Sequence, residues 1–274
     1  MISKLKEFMR QAGKMALDAK KKRHNHHTLY KGADTLSIVT EVDIAVSEAF
    51  KRFAAKEFAD IDYLIIDEES VDKFGGNAFD KIYQSEYQLV IDPIDGTIHY
   101  ANDIPLWGIS IGVLRRGVPM SGIIYVPEME EMVYYDGAKV VWLRHVFQDN
   151  EENILITPQQ KSTSRLVAIS QFNAVYNPNK NPKDYLVVDY FSAVVYFLFL
   201  VTGRIKSCYG RPYLWDFAGA WAACEYLGIK MYDYQNRLYL PELKPEAFLP
   251  NFKLKHTHVF CRGEDLSDMI NLVS

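Results

Sequence analysis

Cysteine is scarce in this chain of 274 residues: there are three, Cys208, Cys224 and Cys261, far apart and without a C-x-x-C pair. An odd, dispersed set argues against a disulfide framework or a cysteine zinc site. It fits reduced, structural thiols in a cytoplasmic protein. Long apolar runs are also lacking. The longest, residues 190–201, is about half of the roughly 20 residues that a bilayer span needs. Thr202-Gly203-Arg204 ends it, so it reads as a buried helix with a glycine stop. The first 22 residues are amphipathic and charged throughout, without a signal-peptide pattern. No membrane attachment is expected. Excess positive charge is missing: the net charge is −4, which implies no general affinity for nucleic acid. There is no internal repeat and no low-complexity tract.

What is present is ordinary in bulk. Apolar residues make up 49% and charged residues 24%, as in a globular domain. The length suits one large domain or two smaller ones. Ile2, Leu5, Met9, Ala12, Met15 and Ala16 recur at helical spacing and predict a first helix that ends in Lys20-Lys21-Lys22-Arg23. His24, His26 and His27 follow as a surface loop, without the i,i+4 spacing of a zinc pair. Thr40 reads as the N-cap of a second helix running from 41 to about 58. Its apolar face is Ala45 or Val46, Ala49, Phe50 and Phe53. A short strand over 63–66 delivers Asp67-Glu68-Glu69-Ser70, and a mobile loop with Gly75-Gly76 follows.

A β-rich stretch comes next. Strands are expected over 88–91, 107–113, 122–126, 132–135 and 139–143, with a hairpin turn at Asp136-Gly137. Over 107–113 bulky residues alternate with small ones. The polar segment 148–161 reads as a domain junction. Beyond it, strands at 166–170 and 258–261 alternate with helices at 191–202, 215–227 and 264–273.

Four acidic positions stand at strand ends or helix starts. Asp43, Glu68 and Asp216 each have an ordinary reading taken singly. Asp43 suits the dipole of a helix's first turn, Glu68 could be a solvated loop acid, and Asp216 could cap the helix that follows it. The run Asp92-Pro93-Ile94-Asp95-Gly96-Thr97 is harder to explain away. It sets two carboxylates three residues apart where a strand ends and a loop begins. Such carboxylates repel one another unless a cation neutralises them. Oxygen ligands favour a hard divalent ion such as Mg2+. Pro93 turns the chain, Gly96 lets backbone approach a ligand, and the N–H groups of Gly96 and Thr97 offer an anion site.

Together, Val39-Thr40-x-x-Asp43, Glu68-Glu69-Ser70, Asp92-Pro-Ile-Asp-Gly-Thr97 and Trp215-Asp216-Phe-Ala-Gly resemble the inositol monophosphatase superfamily of metal-dependent, lithium-sensitive phosphatases. The resemblance spans about residues 31–219. It implies that Glu68, Asp92 and the carbonyl of Ile94 bind one Mg2+, and that Asp92, Asp95 and Asp216 bind a second. A third ion near Glu68 and Glu69 is compatible with it. Asp43 and Thr97, with Glu68, match the groups that orient and activate the attacking water. Gly96 and Thr97 match the phosphate-binding N–H groups.

The chain departs from that pattern where substrate is selected. Inositol-specific members carry a glutamate shortly before the Trp-Asp motif, yet residues 204–214 contain no acid. Tyr209 stands nearest its place. Tyr190-Phe191-Ser192 stands where small residues usually open the preceding helix. Ser192, Tyr209 and Arg211 are therefore the candidate selectivity residues. Arg204, Lys206 and Arg211 could reach a second anion or simply be solvated. Lys31 roughly matches a lysine near the phosphate, and Ser37 replaces an acid.

The resemblance implies an α/β protein with a layered αβαβα sugar-phosphatase fold. Residues 1–147 would form an α+β half that binds metal and phosphate. Residues 148–274 would form an α/β half carrying selectivity. The expected function is Mg2+-dependent hydrolysis of a small phosphorylated metabolite, inositol-monophosphatase-like, in a cytoplasmic homodimer. Histidinol phosphate, a sugar bisphosphate, 3′-phosphoadenosine 5′-phosphate and NADP are alternative substrates. A non-catalytic binding or regulatory protein on the same fold is the rival from another class, and a nucleic-acid-binding module lacks the basic surface it needs.

Overall fold

The computed structural model describes residues 1–21, 28–30, 38–70, 78–146, 148–170, 181 and 183–272. The expectations for His24, His26, His27, Lys31, Ser37 and the loop at 71–77 lie outside the described residues, as does the side chain of Thr40.

The first layer is helical. α1 (Ile2–Lys21) and α2 (Glu41–Glu57) pack together through Leu5, Phe8, Met9, Val46 and Phe50. Val46 rather than Ala45 faces the core. Met15 is exposed, and Phe8 and Gly13 are buried on the α1 face instead. A two-stranded ribbon, β1 (Thr28–Tyr30) with β2 (Ile38–Thr40), leads into α2.

Beneath these helices lies a seven-stranded sheet. Its strands are β3 (Tyr63–Asp67), β4 (Tyr87–Asp95), β5 (Gly108–Arg115), β6 (Val118–Val126), β7 (Glu131–Tyr135), β8 (Val140–Arg144) and β9 (Glu152–Ile156), in that spatial order. β3 and β4 are parallel and the other pairs antiparallel. Short helices α3 (Ala78–Gln84) and α4 (Thr97–Ala101) flank β4. β9 rises from the polar segment read as a junction, so this sheet continues past residue 148. Only Ile156 of β9 is buried, which is why the strand has no clear alternation in the sequence.

Both faces of this sheet are covered. Leu89, Ile91, Ile109, Ile111 and Ile123 point toward α1 and α2, whereas Val90, Leu114 and Ile124 belong to the opposite core. That second core holds α5 (Ala193–Val201) and α6 (Leu214–Tyr226). The small residues of β5 and β6 seat α6. A Cβ on Gly112 would stand 2.5 Å from the backbone of Ala218, and one on Gly122 would stand 2.4 Å from the Gly219 carbonyl. The alternation of bulky and small residues in β5 therefore has a purpose on each face: large groups build the core and small ones admit a helix backbone. Ser110 locks the contact, donating its hydroxyl to the Trp215 carbonyl at 3.0 Å.

The other side of α5 and α6 rests on a second sheet. It comprises β10 (Leu166–Ile169), β11 (Leu186–Val188), β12 (Ser207–Gly210), β13 (Ile229–Asp233) and β14 (His258–Arg262), in the order β11-β10-β12-β14-β13. α7 (Leu266–Leu272) covers the outer face through Met269 and Leu272. The layers thus alternate α-β-α-β-α. Gly228 ends α6 with φ +76°, as expected for a helix stop. α5 starts two residues later than expected because Phe191 has φ +50° and Ser192 is extended. The three cysteines are free and buried, and burial pushes their thiols up. Among the described residues no helix is long and apolar enough to cross a membrane.

Candidate active site

The site begins with a fault in a strand. Asp92 pairs with Ser110 of β5 and Asp95 with Gly108, so one extra residue is inserted on β4. In a regular strand, residues three apart face opposite sides. The bulge cancels that alternation, and Pro93 has no N–H to lose from the ladder. Ile94 is buried in the core on the α1/α2 side. Asp92 and Asp95 instead turn together toward α6, where Asp216 lies. Ligand oxygens of Asp92, Asp95 and Asp216 fall within 4.8 Å of one another.

Two of these acids are held from behind. Asp95 accepts hydrogen bonds from the Ser192 hydroxyl and from the N–H of Val194 at 2.7 Å, at the start of α5. Asp216 accepts from the N–H of Tyr213 at 2.8 Å. It therefore caps the start of α6 with one oxygen and also lies in the cluster. Gly96 takes φ +79°, and a Cβ there would lie 2.9 Å from the Leu106 carbonyl. Thr97 then opens α4 and donates its hydroxyl to the Ile94 carbonyl at 3.1 Å.

Two further acids approach from other elements. Asp43 lies in the first turn of α2 and is 1% exposed. Glu68 lies in the 3-10 turn at 68–70, directly after β3. That turn is fastened by buried Asp67, which accepts from Ser47 at 2.5 Å, from the N–H of Glu69 at 3.1 Å, and from Lys51 at 2.9 Å. Asp67 has a positioning role that the sequence did not reveal, because its neighbours Glu68 and Glu69 have the same chemistry.

The electrostatics record the crowding. Burial, and then the charges of Glu68, Asp95, Asp216 and Asp43, push the Asp92 carboxyl well up. Burial raises Asp95, against its hydrogen bonds at the start of α5. Burial and the charge of Asp95 push Asp216 up to about 8, while the Tyr213 N–H and Lys253 act the other way. One Asp92 oxygen, Oδ1, is buried without a hydrogen-bond partner. A buried carboxylate oxygen left bare is costly. The donor set is all oxygen and strongly anionic, and it suits a hard divalent cation.

A cavity of about 500 Å3 opens beside Asp95 and Asp216, lined also by Phe191, Ser192, Tyr209, Arg211, Tyr213 and Lys253. The geometry revises the selectivity residues. Ser192 is 2% exposed, and its hydroxyl is engaged by Asp95 and by the Val195 N–H. It positions an acid. Tyr209 lines the cavity, but its hydroxyl is donated to the Met269 carbonyl in the outer core. Strand alternation in β12 sends that ring to the α7 side. Arg211 does reach the cavity, anchored through Nε on the Leu254 carbonyl at 2.6 Å. Arg204 and Lys206 do not line it: Arg204 is paired with Glu131 and lies over the Trp142 ring, and Lys206 is paired with Asp265 at 3.0 Å. Lys253 takes their place. It was invisible in the sequence because the pairing of residues 212–214 with 252–254 brings it there.

Comparison with known proteins agrees with this architecture. The sequence model of the inositol monophosphatase family matches residues 1–263. The Fructose-1,6-bisphosphatase/inositol-1-monophosphatase of Aquifex aeolicus is 33% identical over 101 residues, covering 37% of this chain and 34% of that protein. The Nus factor SuhB of Pasteurella multocida is 27% identical over 204 residues, covering 72% of this chain and 71% of that protein. The chain spans 42% and 34% of the length of two of the curated relatives it matches. Among solved structures, an IMPase/NADP phosphatase complexed with Mg2+ and phosphate superposes with a TM-score of 0.65 at 15% identity, covering 94% of this chain and 89% of that one. With a family match across nearly its whole length, this chain belongs to the inositol monophosphatase family.

Proposed function

We propose that the protein is a Mg2+-dependent phosphatase acting on a small phosphate monoester. The convergence of Asp92, Asp95 and Asp216, with Asp43 and Glu68 acting on Asp92, carries this reading. Glu68, Asp92 and the Ile94 carbonyl would hold one ion, and Asp92, Asp95 and Asp216 another. Bound there, such ions lower the pKa of a coordinated water toward about 7 and offset charge on the leaving oxygen. The chain's own groups do the positioning. Thr97 has its hydroxyl proton engaged by the Ile94 carbonyl, so its oxygen is left to accept a hydrogen bond from the attacking water. Asp43 supplies a second acceptor, and Glu68 orients the same water. The N–H groups of Gly96 and Thr97 hold the phosphate. Phosphoryl transfer asks mainly for positioning and charge stabilisation. The solved IMPase/NADP phosphatase with Mg2+ and phosphate supports the cofactor assignment.

The deciding experiment is Mg2+-dependent phosphate release from p-nitrophenyl phosphate and a panel of phosphorylated metabolites. The panel includes inositol phosphate, histidinol phosphate, sugar bisphosphates, 3′-phosphoadenosine 5′-phosphate and NADP. Lithium inhibition is the accompanying check, and the Asp92→Asn protein is the blank. Absence of turnover across the panel rejects the reading and favours a regulatory binding protein on this fold. The similarity to a Nus factor over 72% of the chain is the observation behind that second reading. A cytoplasmic homodimer remains part of the proposal, tested by light scattering and cell fractionation.

A further inference from the structure

Two cations on the cavity wall have no role in the chemistry above. Arg211 and Lys253 lie on paired segments: Tyr213 bridges Lys253, and the Leu254 N–H donates to the Pro212 carbonyl at 3.0 Å. The bond from Arg211 Nε to the Leu254 carbonyl fixes the guanidinium at its base and leaves its terminal amino groups for other partners. The Lys253 ammonium lies 5.0 Å from the centre of the Tyr213 ring, which is itself stacked on Trp215. Its charge is felt at Asp216. Among the described residues neither cation forms an ion pair with an acid, unlike Arg204 and Lys206, which are paired with Glu131 and Asp265.

The space beside them is large and partly aromatic. Its volume of about 500 Å3 exceeds the needs of a phosphate alone and lies within the range of small-molecule pockets. Phe191 is 43% exposed and lines it. A phenylalanine at φ +50° is strained, since a side chain is disfavoured there. Such strain concentrates at ligand sites. Arg211 and Lys253 give this wall two positive charges, ready for an anion.

We propose that Arg211 and Lys253 form a subsite for a second phosphate, carried by the alcohol part of the substrate. Phe191 and Tyr213 bound the space between that group and the acids. The protein would then favour sugar or nucleoside esters bearing two phosphates over simple monoesters. The inference rests on the phosphatase reading for its chemistry, but the binding it predicts does not require turnover.

The test uses the full chain in EDTA and isothermal titration calorimetry. The probes are adenosine 5′-phosphate against adenosine, and fructose 6-phosphate against fructose. In at least one pair, the phosphate is expected to bind at least tenfold more tightly, about 1.4 kcal/mol. The pair that shows the gain identifies a nucleotide or a sugar phosphate as the source. R211Q and K253Q, singly and together, are expected to bring the gain below threefold, and the charge-preserving R211K/K253R protein to keep it. Melting curves confirm that each variant is folded. No gain in either pair, or a gain that survives in folded R211Q/K253Q, overturns the subsite. A gain lost in these variants, together with no turnover on the ester panel, rejects the phosphatase reading and leaves the subsite standing.

Discussion

Replacing Asp216 by Asn should make the metal-free protein more stable at pH 8, although it removes a proposed metal ligand. Asn keeps an oxygen for the Tyr213 N–H, so the cap of α6 survives. What disappears is a carboxyl whose pKa is raised from the ordinary 3.8 to about 8. The sign follows from which state holds the proton. Between pH 4 and 8 the unfolded chain ionises Asp216 while the folded chain keeps it protonated, so the folded state loses stability as pH rises. Each pH unit of that displacement is worth about 1.4 kcal/mol, which sets a ceiling of roughly 6 kcal/mol. Asp216 borders the open cavity, and solvent there reduces the effect to on the order of 2–3 kcal/mol. For a chain of this size that corresponds to roughly 5 °C in Tm.

The assay is thermal and urea unfolding in EDTA at pH 5 and pH 8, repeated with Mg2+. Wild type should fall between pH 5 and 8 in EDTA, and the variant should fall less. Mg2+ at about 100 times its dissociation constant should restore roughly 2.7 kcal/mol to wild type at pH 8, and less to the variant. Equal pH slopes for the two proteins in EDTA, or equal gains from Mg2+, would refute the crowding of charge at this site.

Asp92→Asn and Asp95→Asn should each abolish phosphate release while the protein remains folded by circular dichroism; near-normal turnover in either would dismiss the metal assignment. Ser192→Ala removes a hydrogen bond to Asp95 and should weaken Mg2+ activation about 10- to 100-fold; an unchanged Mg2+ titration counts against the positioning role. Gly219→Ala places a Cβ 2.6 Å from the Ser110 hydroxyl and 2.7 Å from the Ile123 carbonyl, and should cost about 1–3 kcal/mol of stability in urea melts. A neutral result there would show that α6 can lift from the sheet.

Much of the site was readable from the sequence because it depends on local chemistry. The Asp92 to Thr97 loop carries its own bulge, turn and helix start within six residues. Helices and strands whose apolar faces are fully covered, such as α2 and β5, announced themselves by periodicity. β9 did not, since an edge strand with one buried side chain has little pattern to show. The sequence marks Tyr209 and Ser192 as candidates but does not show what their hydroxyls bind. Strand alternation and a cap bond, both set by tertiary neighbours, decided where their hydroxyls went. Lys253 gave no signal at all. It lies about forty residues beyond Arg211, and the tertiary pairing of their segments brings them together.

The glycine-lined seat under α6 has a consequence for how this site tolerates change. Asp92 and Asp95 ride on the sheet and Asp216 rides on the helix, so their separation is the thickness of a backbone-to-backbone contact. No long side chain sits between Gly112 or Gly122 and α6 to swell, shrink or change rotamer. The spacing of the acids is therefore insulated from repacking elsewhere in the core. The side chains of Arg211 and Lys253 stand outside that seat, so they can be exchanged for a new substrate without altering the contact that spaces the acids.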